Sequence, residues 1–337
     1  MNDIQEELQM AKIWRDSDVS LESVKNETFA VIGYGIQGRA QACNMKDSGL
    51  KVILGLRKDG KSWEIAQKDG HTVFEIPEAV KRADVIHILI PDMEQANVYK
   101  NQIEPYLKKG QALSFSHGAA IHWGWIKPPE WVDVIMLAPK APGQRMRELY
   151  LENFGVPALV AVQQNFTGRA WERVLGMAKA VGCTRAGVIQ TTFKEEVETD
   201  WFGEQVDLCG GVDRLIRSAF ETLIEAGYQP EVAYFECLHE LKLIVDLIQR
   251  KGISGMYQGV SETARYGGLT RGGMVIDEHV KESMKRVLAD IQSGEFAKEW
   301  QSFYSKEGVK GLEKMLAELE EHPIEKVGKE LRELMWK

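Results

Sequence analysis

Two pairs of acidic residues in the second half of the chain have a spacing that could hold a cation. Asp200 and Glu204 stand four residues apart, and so do Glu236 and Glu240. On an α-helix, residues four apart lie one above the other on one face, so each pair would present two carboxylates together. Mg²⁺ prefers oxygen ligands of this kind. Both pairs are therefore candidate ligands for divalent metal ions.

Apolar residues surround the second pair. At helical spacing, Glu236 and Glu240 continue into Leu247, so the stripe is predicted to run from acids into a core. Carboxylates on an apolar face are costly unless a cation or a proton neutralises them. The alternative for this pair is a buried ion pair with Lys242 or an arginine. The alternative for the first pair is a solvated helix face, because Glu196 continues the same row.

A glycine-rich motif near the start of the chain predicts a dinucleotide site. An apolar strand at 28–32 leads into a GxGxxG sequence that opens a helix. Gly33 would allow the tight turn, Gly35 the approach of a pyrophosphate and Gly38 close packing of helix on strand. The helix N-terminus would face the phosphates, and a chance glycine loop is the alternative. The candidate cofactor-binding residues of this loop are Gly33, Tyr34, Gly35, Ile36 and Gln37.

The turn after the second predicted strand indicates which nucleotide is bound. An NAD enzyme would present an acid to the ribose hydroxyls about 20 residues after the glycines. This turn instead offers cations and a hydroxyl that can hold a 2′-phosphate, so NADPH is favoured. These residues are Arg57, Lys58, Lys61 and Ser62. Asp59 could accept from a free ribose hydroxyl and permit NADH, and a solvated charged turn is the alternative.

Bulk properties limit the classes of protein to consider. A chain of 337 residues suits two domains. No apolar stretch approaches a membrane span, and the polar start is unlike a leader, so we expect a cytoplasmic location. The four cysteines are far apart without a CxxC, which favours buried thiols in a reducing compartment.

The net charge of −8 is concentrated in the second half, where residues 193–337 contain 28 acidic and 19 basic residues. That excess suits cation binding, whereas the near-neutral first half suits an anionic cofactor. Neither half has the basic surface that nucleic acid or a membrane would require.

The pattern of apolar segments predicts two domains. Short β-branched runs alternate with amphipathic segments up to residue 192, which predicts an α/β doubly wound sheet of parallel strands. The predicted strands are 29–32, 52–56, 84–90, 112–116, 133–138, 157–162 and 184–189. Residues 193–337 are predicted to be all-α, with helices at 194–209, 212–225, 230–250, 277–292, 294–304 and 309–320.

With these residues assembled, the chain closely resembles ketol-acid reductoisomerase, also called acetohydroxyacid isomeroreductase, of the short class I form. The motifs that carry the resemblance are VIGYGIQGRAQA, APKAPG, TTFKEEVETDWFGEQ, LCGG, SETARYG and DIQSGEFAKEW. The resemblance implies a Rossmann NADP-binding domain followed by a knotted helical domain. It also implies a homodimer or higher homo-oligomer, with an active site shared between subunits.

The resemblance also implies a reaction in two steps. Two Mg²⁺ ions promote alkyl migration in 2-acetolactate or 2-aceto-2-hydroxybutyrate, and NADPH reduces the product to a 2,3-dihydroxy acid, in valine and isoleucine synthesis. Asp200 would bridge the ions and Glu204 would complete the first metal site. Glu236 and Glu240 of the other subunit would form the second. Glu240 would also supply a proton during reduction.

Further site residues lie at strand ends and in loops. Lys140 ends an apolar strand, where the carboxyl end faces the ligand crevice, although a surface lysine is the alternative. His117 follows another strand and by resemblance lies near the nicotinamide, although it could be a structural loop residue. Ser261 matches a substrate-binding serine, with a helix N-cap as the alternative. Gly143 of the APKAPG motif is counted among the cofactor-binding residues.

Several positions depart from the family pattern. Ile36 stands where the family commonly has serine, and we expect Arg39 to substitute as a phosphate contact. Gly60 replaces a usual serine in the basic turn, which leaves Ser62. These changes affect cofactor preference. A different Rossmann hydroxy-acid reductase and a non-catalytic NADPH-binding module are the alternative functions.

Overall fold

The computed structural model describes residues 11–335 and places an α/β unit before an all-helical unit. The contacts divide the chain after Val197. The predicted fold class, a Rossmann-type sheet followed by an all-α domain, is confirmed. The predicted boundary after residue 192 and the knot stay predictions.

In the described residues the α/β unit has one nine-stranded sheet. Its strands are β1 Ile13–Trp14, β2 Thr28–Ile32, β3 Lys51–Leu56, β4 Thr72–Glu75, β5 Val85–Ile88, β6 Ala112–Phe115, β7 Asp133–Pro139, β8 Ala158–Gln164 and β9 Val188–Gln190. Its helices are α1 Ile36–Asp47, α2 Lys61–Lys68, α3 Ile76–Arg82, α4 Asp92–Val98, α5 Ala119–His122, α6 Gly143–Leu151 and α7 Ala170–Ala180. Helix α8, Phe193–Gly203, follows.

The strand order is β1-β9-β8-β7-β6-β5-β2-β3-β4. From β4 to β7 the neighbouring strands are parallel, which is the Rossmann arrangement. The order reverses between β2 and β5, so the loops after these two strands border a crevice at the carboxyl edge. Ligands bind at such a switch point in open α/β sheets.

The prediction of parallel strands is wrong at one side of the sheet. Strand β8 is antiparallel to β7 and begins opposite its end, with Pro139 paired to Ala158. The connection through α6 returns to the carboxyl edge instead of crossing the length of the sheet, so β8 must run in the opposite direction. Strand β1, which was not predicted, is antiparallel to β9.

The predicted strand at 184–189 is also mostly wrong. A 3₁₀ turn occupies Cys183–Arg185, and extended pairing begins only at Val188. Gly182 and Gly187 have φ of +90° and +113°, which interrupts an extended backbone on both sides of the turn. The short strand β4 was missed as well.

Apolar residues fill both faces of the sheet, as a doubly wound fold requires. Met45 of α1 and Met177 of α7 belong to the core on one face. Val80 of α3, Ile103 and Phe193 belong to the core on the other. Both faces are therefore covered by helices, which leaves the carboxyl edge as the open side.

A buried ion cluster lies at the opposite, amino-terminal edge of the sheet. Arg173 of α7 contacts Asp133 at 2.7 Å and Glu27 at 3.0 Å, and all three side chains are buried. Asp133 also accepts from the backbone amide of Thr167 at 2.9 Å. The cluster ties α7 to the starts of β2 and β7.

The helical unit continues from α8. Its further helices are α9 Gly210–Glu225, α10 Pro230–Tyr234, α11 Glu240–Gly259, α12 Glu262–Val275, α13 Glu278–Gln292, α14 Glu295–Glu320 and α15 Pro323–Met335. Helices α12 and α15 were not predicted. Among the described helices, none is long and apolar enough to cross a membrane.

Two predicted α-helices of this unit contain π-helical turns. Glu204–Leu208 follows α8 as a π-segment, and Phe235–His239 joins α10 to α11 as another. Gly252 and Gly308 have φ of +73° and +58° and interrupt α11 and α14. The predicted helix ends at 250 and 304 lie close to these interruptions.

The expectation that the acidic stripe of α11 runs into a core is wrong within a single chain. No residue of α11 is buried, and Leu243 is 52% exposed. The core of this unit lies elsewhere and includes Phe220, Tyr234 and Ile324. The expectation of buried cysteines is also wrong at Cys209, which is exposed.

Candidate active site

The glycine loop between β2 and α1 can be built only with glycine at two positions. Gly33 has a φ of +99°, and a Cβ there would lie 2.6 Å from the Leu89 carbonyl oxygen. A Cβ on Gly38 would lie 2.4 Å from the Gly33 carbonyl oxygen. The loop after β5 and the first turn of α1 therefore pack directly against the glycine loop.

The start of α1 is suited to an anion. Gly35 is the N-cap, and no side chain caps the helix. A Cβ at Gly35 would meet nothing within 4 Å, so the space in front of the amides is open. Uncapped amides and the helix dipole favour a phosphate at this point. The residues therefore fit a dinucleotide pyrophosphate.

Two residues of the predicted loop contact the protein through their side chains, and a third is exposed. The Tyr34 hydroxyl donates to Asp69 at 2.8 Å, and its buried ring leaves only the backbone for the cofactor. Gln37 donates to the Ala141 carbonyl at 2.9 Å. Ile36 is exposed at the first position of α1.

The basic turn after β3 lies beside the glycine loop, because β3 pairs with β2 along its length. Arg57, Lys58 and Lys61 are exposed, and in the described part of the chain no ion pair engages them. Ser62 lies in the first turn of α2, whose N-cap Gly60 offers no side-chain cap. The turn can therefore present three cations and free helix amides to a 2′-phosphate.

Arg39 does not have the role expected for it. Its guanidinium makes a bidentate pair with Asp69, at 2.8 Å and 3.0 Å. The Arg39 hydrogen bonds hold the pKa of the Asp69 carboxyl below its usual value. Arg39 is thus paired within the protein. It holds Asp69, which in turn accepts the hydrogen bond from the Tyr34 hydroxyl.

A buried carboxylate that sequence analysis missed brings two predicted site residues together. Glu196 of α8 lies 3.2 Å from His117 Nδ1 and 3.4 Å from Lys140 Nζ. It also accepts from the Gly118 backbone amide at 2.9 Å. His117 follows β6 and Lys140 follows β7, so the cluster lies at the carboxyl edge of neighbouring strands.

Glu196 is ionised in spite of its burial. Its side chain is 1% exposed, and burial alone would raise its pKa. The hydrogen bond to His117, the Lys140 charge and the Gly118 amide outweigh burial and lower the pKa of this carboxyl. The sequence row with Asp200 and Glu204 had suggested a solvated face. The better signal was the apolar pair Phe193 and Val197 around Glu196.

Close packing brings α8 to this cluster. A Cβ on Gly118 would lie 2.9 Å from Val197 and 3.0 Å from the Phe193 carbonyl oxygen. Glycine is therefore needed after His117 for the helix to approach. On the same helix, Asp200 lies one turn after Glu196, since residues four apart share a face.

The predicted metal ligands lie at the two π-segments. Asp200 is half-buried in α8, and Glu204 opens the first π-segment. Glu236 lies within the second π-segment, and Glu240 follows it. Insertions of this kind occur often at functional sites. Glu204, Glu236 and Glu240 are exposed, and in the described residues none of these three joins a cluster of three ligating side chains.

The structure also tests the alternative roles given above for Lys242 and Ser261. Lys242 pairs with Asp246 at 2.5 Å and not with Glu236 or Glu240. Ser261 caps α12 by accepting from the Ala264 amide at 3.1 Å, so the N-cap alternative holds within the chain. Contact of Ser261 with substrate stays a prediction.

Gly143 has a packing role in the structure. It is the first residue of α6, and a Cβ there would lie 2.2 Å from the Ile36 carbonyl oxygen. The starts of α6 and α1 thus touch backbone to backbone. The predicted contact of Gly143 with the cofactor stays a prediction.

A Rossmann sheet with an open glycine loop, a basic turn and a polar cluster at its carboxyl edge defines a nicotinamide-nucleotide oxidoreductase. The family of the acetohydroxy acid isomeroreductase NADPH-binding domain matches residues 23–187, and the ketol-acid reductoisomerase C-terminal domain matches residues 193–337. The chain belongs to the ketol-acid reductoisomerase family. It is accordingly an NADPH-binding oxidoreductase that also catalyses an isomerisation, and the predicted family is confirmed.

Similar proteins agree over nearly the whole length. A ketol-acid reductoisomerase (NADP(+)) of Nitrosopumilus maritimus (strain SCM1) is 63% identical over 97% of this chain and 98% of its own. One from Pyrococcus abyssi (strain GE5 / Orsay) is 58% identical with the same coverage. The solved structure of an NADH-preferring ketol-acid reductoisomerase from an uncultured archean is 49% identical, with a TM-score of 0.93 over 97% of this chain and 100% of that one.

Proposed function

We propose that this protein converts 2-acetolactate or 2-aceto-2-hydroxybutyrate into a 2,3-dihydroxy acid, the second shared step of valine and isoleucine synthesis. An alkyl group migrates first, and the resulting 2-keto acid is then reduced. The convergence of His117 and Lys140 on the buried Glu196 carries this proposal, because it places a charged hydrogen-bonding cluster at the edge where the cofactor crevice opens.

NADPH is the proposed reductant. The open start of α1 would take the pyrophosphate, and Arg57, Lys58, Lys61 and Ser62 would take the 2′-phosphate. Asp59 lies exposed in the same turn and would accept from a free ribose hydroxyl, which supports some use of NADH. The similar solved structure is named as NADH-preferring, which supports some use of NADH by this protein as well.

Two Mg²⁺ ions are the proposed metals. Asp200 and Glu204 would hold one set of contacts, and Glu236 and Glu240 would hold the other. The donors fit, because all four are carboxylates and Mg²⁺ prefers carboxylate and water oxygens. Bound there, the ions would lower the pKa of the substrate hydroxyl and withdraw charge from its carbonyl.

The protein's own groups would orient the substrate and manage protons. The Lys140 ammonium keeps 34% of its side chain exposed while held by Glu196, so it can donate to a substrate oxygen. Ionised Glu196 fixes the positions of Lys140 and His117, and His117 would lie against the nicotinamide. The exposed Glu240 would supply the proton that reduction of the ketone consumes.

We further propose a homodimer, or a higher homo-oligomer, in which Glu236, Glu240 and Ser261 serve the site of a second subunit. Supporting this, several large apolar side chains of α11 and α12 are exposed in a single chain. Tyr266 and Met274 are 70% and 72% exposed. Large exposed apolar patches of this kind mark protein interfaces. A cytoplasmic location, and the lack of nucleic-acid and membrane partners, stay predictions.

The direct test is oxidation of NADPH with 2-acetolactate, with and without Mg²⁺. We expect turnover that requires the metal. A stable protein that gives no turnover with Mg²⁺ contradicts the proposal. Turnover of 3-hydroxy-3-methyl-2-ketobutyrate alone would show a reductase without the isomerase.

A further inference from the structure

A chain of hydrogen bonds, buried at its inner end, joins the interior of the sheet to the loop that carries His117. It begins at His87 in β5, whose Nε2 lies 2.8 Å from Gln41 Oε1. The Gln41 amide nitrogen donates to Ser116 Oγ at 2.9 Å. Ser116 directly precedes His117, so the chain ends at the loop that presents this ring.

A second branch reaches the loop of Lys140 through α1. Gln41 Nε2 also donates to Gln37 Oε1 at 3.2 Å. Gln37 Nε2 donates in turn to the Ala141 carbonyl at 2.9 Å. Gln37 lies in the first turn of the cofactor helix, and Ala141 directly follows Lys140. One network thus contacts the cofactor helix and both catalytic loops.

The chemistry of the groups fixes the polarity of this network. Gln41 has two N–H donors, and both are used on Gln37 and Ser116. Its oxygen must therefore accept from His87, which holds its proton on Nε2. His87 is fully buried, and burial lowers its pKa to about 4, so the ring is neutral near pH 7. Along the path from His87 to the Ala141 carbonyl, each hydrogen bond joins one donor to one acceptor.

Backbone packing makes the same region rigid. Because Gly143 packs directly against the Ile36 backbone, the start of α1 and the loop after β7 are expected to move together. Gln37 spans this contact through its bond to Ala141. Hydrogen bonds in the low-dielectric interior are stronger than in water, so those of Gln41 hold its neighbours in one arrangement. A displacement of Gln41 would therefore be passed to both loops.

We propose that His87, Gln41 and Gln37 are positioning residues that set the distance between the nicotinamide and the loops of His117 and Lys140. The inference rests on the proposed function, since it takes those two residues as parts of the active site. Hydride transfer requires reacting atoms about 3–3.5 Å apart, and a misplacement of about 1 Å can lower the rate about 100-fold. The network should therefore affect reduction more than cofactor affinity.

The test uses the full-length enzyme with Gln41→Met, which keeps the length of the side chain and removes its three hydrogen bonds. The substrate is 3-hydroxy-3-methyl-2-ketobutyrate with NADPH. We expect kcat to fall about 10- to 100-fold, while the NADPH dissociation constant changes less than about threefold. The isotope effect with NADPH deuterated at the transferred position should rise, because hydride transfer becomes slower.

Gln111→Met is the matched control. Gln111 is also a buried glutamine, and it donates to the Val80 and Ala83 carbonyls at 2.8 Å and 2.7 Å. It lies at the amino-terminal end of β6, away from the catalytic loops. We expect a comparable loss of stability with kcat and the isotope effect unchanged.

Variants of His87 separate hydrogen bonding from packing. His87→Gln keeps a donor toward Gln41 and should retain most of the reductive kcat, whereas His87→Met should lose it. If Gln41→Met does not fold, Gln37→Met replaces it as the test variant, because it breaks the hydrogen bond to Ala141. The same kcat, dissociation-constant and isotope-effect measurements then test the proposal.

The proposal is overturned if folded Gln41→Met and Gln37→Met keep the wild-type kcat and isotope effect. It is equally overturned if Gln111→Met shows the same kinetic loss as they do. Absence of turnover in the wild-type enzyme would instead contradict the proposed function, so the two failures are distinguishable.

Discussion

His117 Nδ1 lies 3.2 Å from the buried carboxylate of Glu196, which joins the loop after β6 to helix α8. The same carboxylate lies 3.4 Å from Lys140 Nζ. One acidic side chain therefore orients two different groups, the imidazole of His117 and the ammonium of Lys140. This arrangement makes Glu196 the residue on which the geometry of the polar cluster depends.

Replacing Glu196 should therefore affect catalysis more than replacing its exposed neighbour Glu195. Glu196→Gln keeps the shape of the side chain but cannot balance the Lys140 charge. We expect kcat to fall about 100-fold in both the complete reaction and the reduction alone. The control is Glu195→Gln, an exposed neighbour on the same helix, which should keep wild-type kcat. Equal effects of the two substitutions on kcat would show that Glu196 has no special role in the active site.

Cofactor selectivity should reside in the basic turn and not in Arg39. Arg57→Ala removes an exposed cation, and we expect the KM for NADPH to rise about 10- to 100-fold while that for NADH changes little. Arg39→Ala removes a cation already paired with Asp69, so it should not discriminate between the two cofactors. Steady-state kinetics with both cofactors checks this. Loss of NADPH preference in Arg39→Ala would reverse the assignment.

The ion cluster at the amino-terminal edge of the sheet should contribute strongly to stability. Arg173→Met would leave the buried carboxylates of Glu27 and Asp133 without their shared partner, at about 3–5 kcal/mol of unfolding free energy. Arg169→Met removes a partly exposed partner of Glu27 and should cost about 1 kcal/mol or less. Urea unfolding of the two variants measures the difference. Equal losses of unfolding free energy in the two variants would show that the burial of the arginine does not determine its contribution to stability.

Buried His87 should make stability depend on pH below neutrality. Its folded pKa of about 4 is below the unfolded value of about 6.5, so between these values only the unfolded chain binds a proton. The stability is complete above about pH 6.5, and about 3 kcal/mol should be lost as the pH falls to about 4.

Denaturant unfolding across this range checks the pH dependence. His87→Gln should lack this part of the slope, whereas the control His279→Gln, at an exposed position, should retain it. An unchanged slope in His87→Gln would show that another group is responsible.

The sheet class, the glycine loop and the helical unit could be predicted from the sequence, because periodicity and glycine spacing are local signals. The antiparallel β8 could not be predicted, since strand direction depends on where α6 returns the chain. The role expected for Arg39 was wrong because its partner Asp69 lies 30 positions away in the sequence. The burial of Glu196 could not be predicted, because an i, i+4 acidic row has the same pattern whether one member is buried or not.

The surroundings of the predicted metal ligands could not be predicted from the sequence for a different reason. The spacing of Glu236 and Glu240 predicts an apolar stripe leading to a core, but α11 buries no residue within one chain. The proposed second subunit would cover this surface, and no periodicity in one sequence distinguishes a core from an interface. The π-segments beside these acids were also not predictable, because one inserted residue leaves the apolar pattern nearly unchanged.

Two subunits are proposed to share each metal site, and an experiment that mixes two inactive variants tests this sharing. Asp200→Asn and Glu240→Gln chains should each be inactive alone. If the sites are shared, refolding equal amounts together leaves one intact site in each mixed dimer, so activity should return to about one quarter of wild type. No recovery, with mixed dimers demonstrated by differential tagging, would show that each chain builds its own site and would overturn the shared-site proposal.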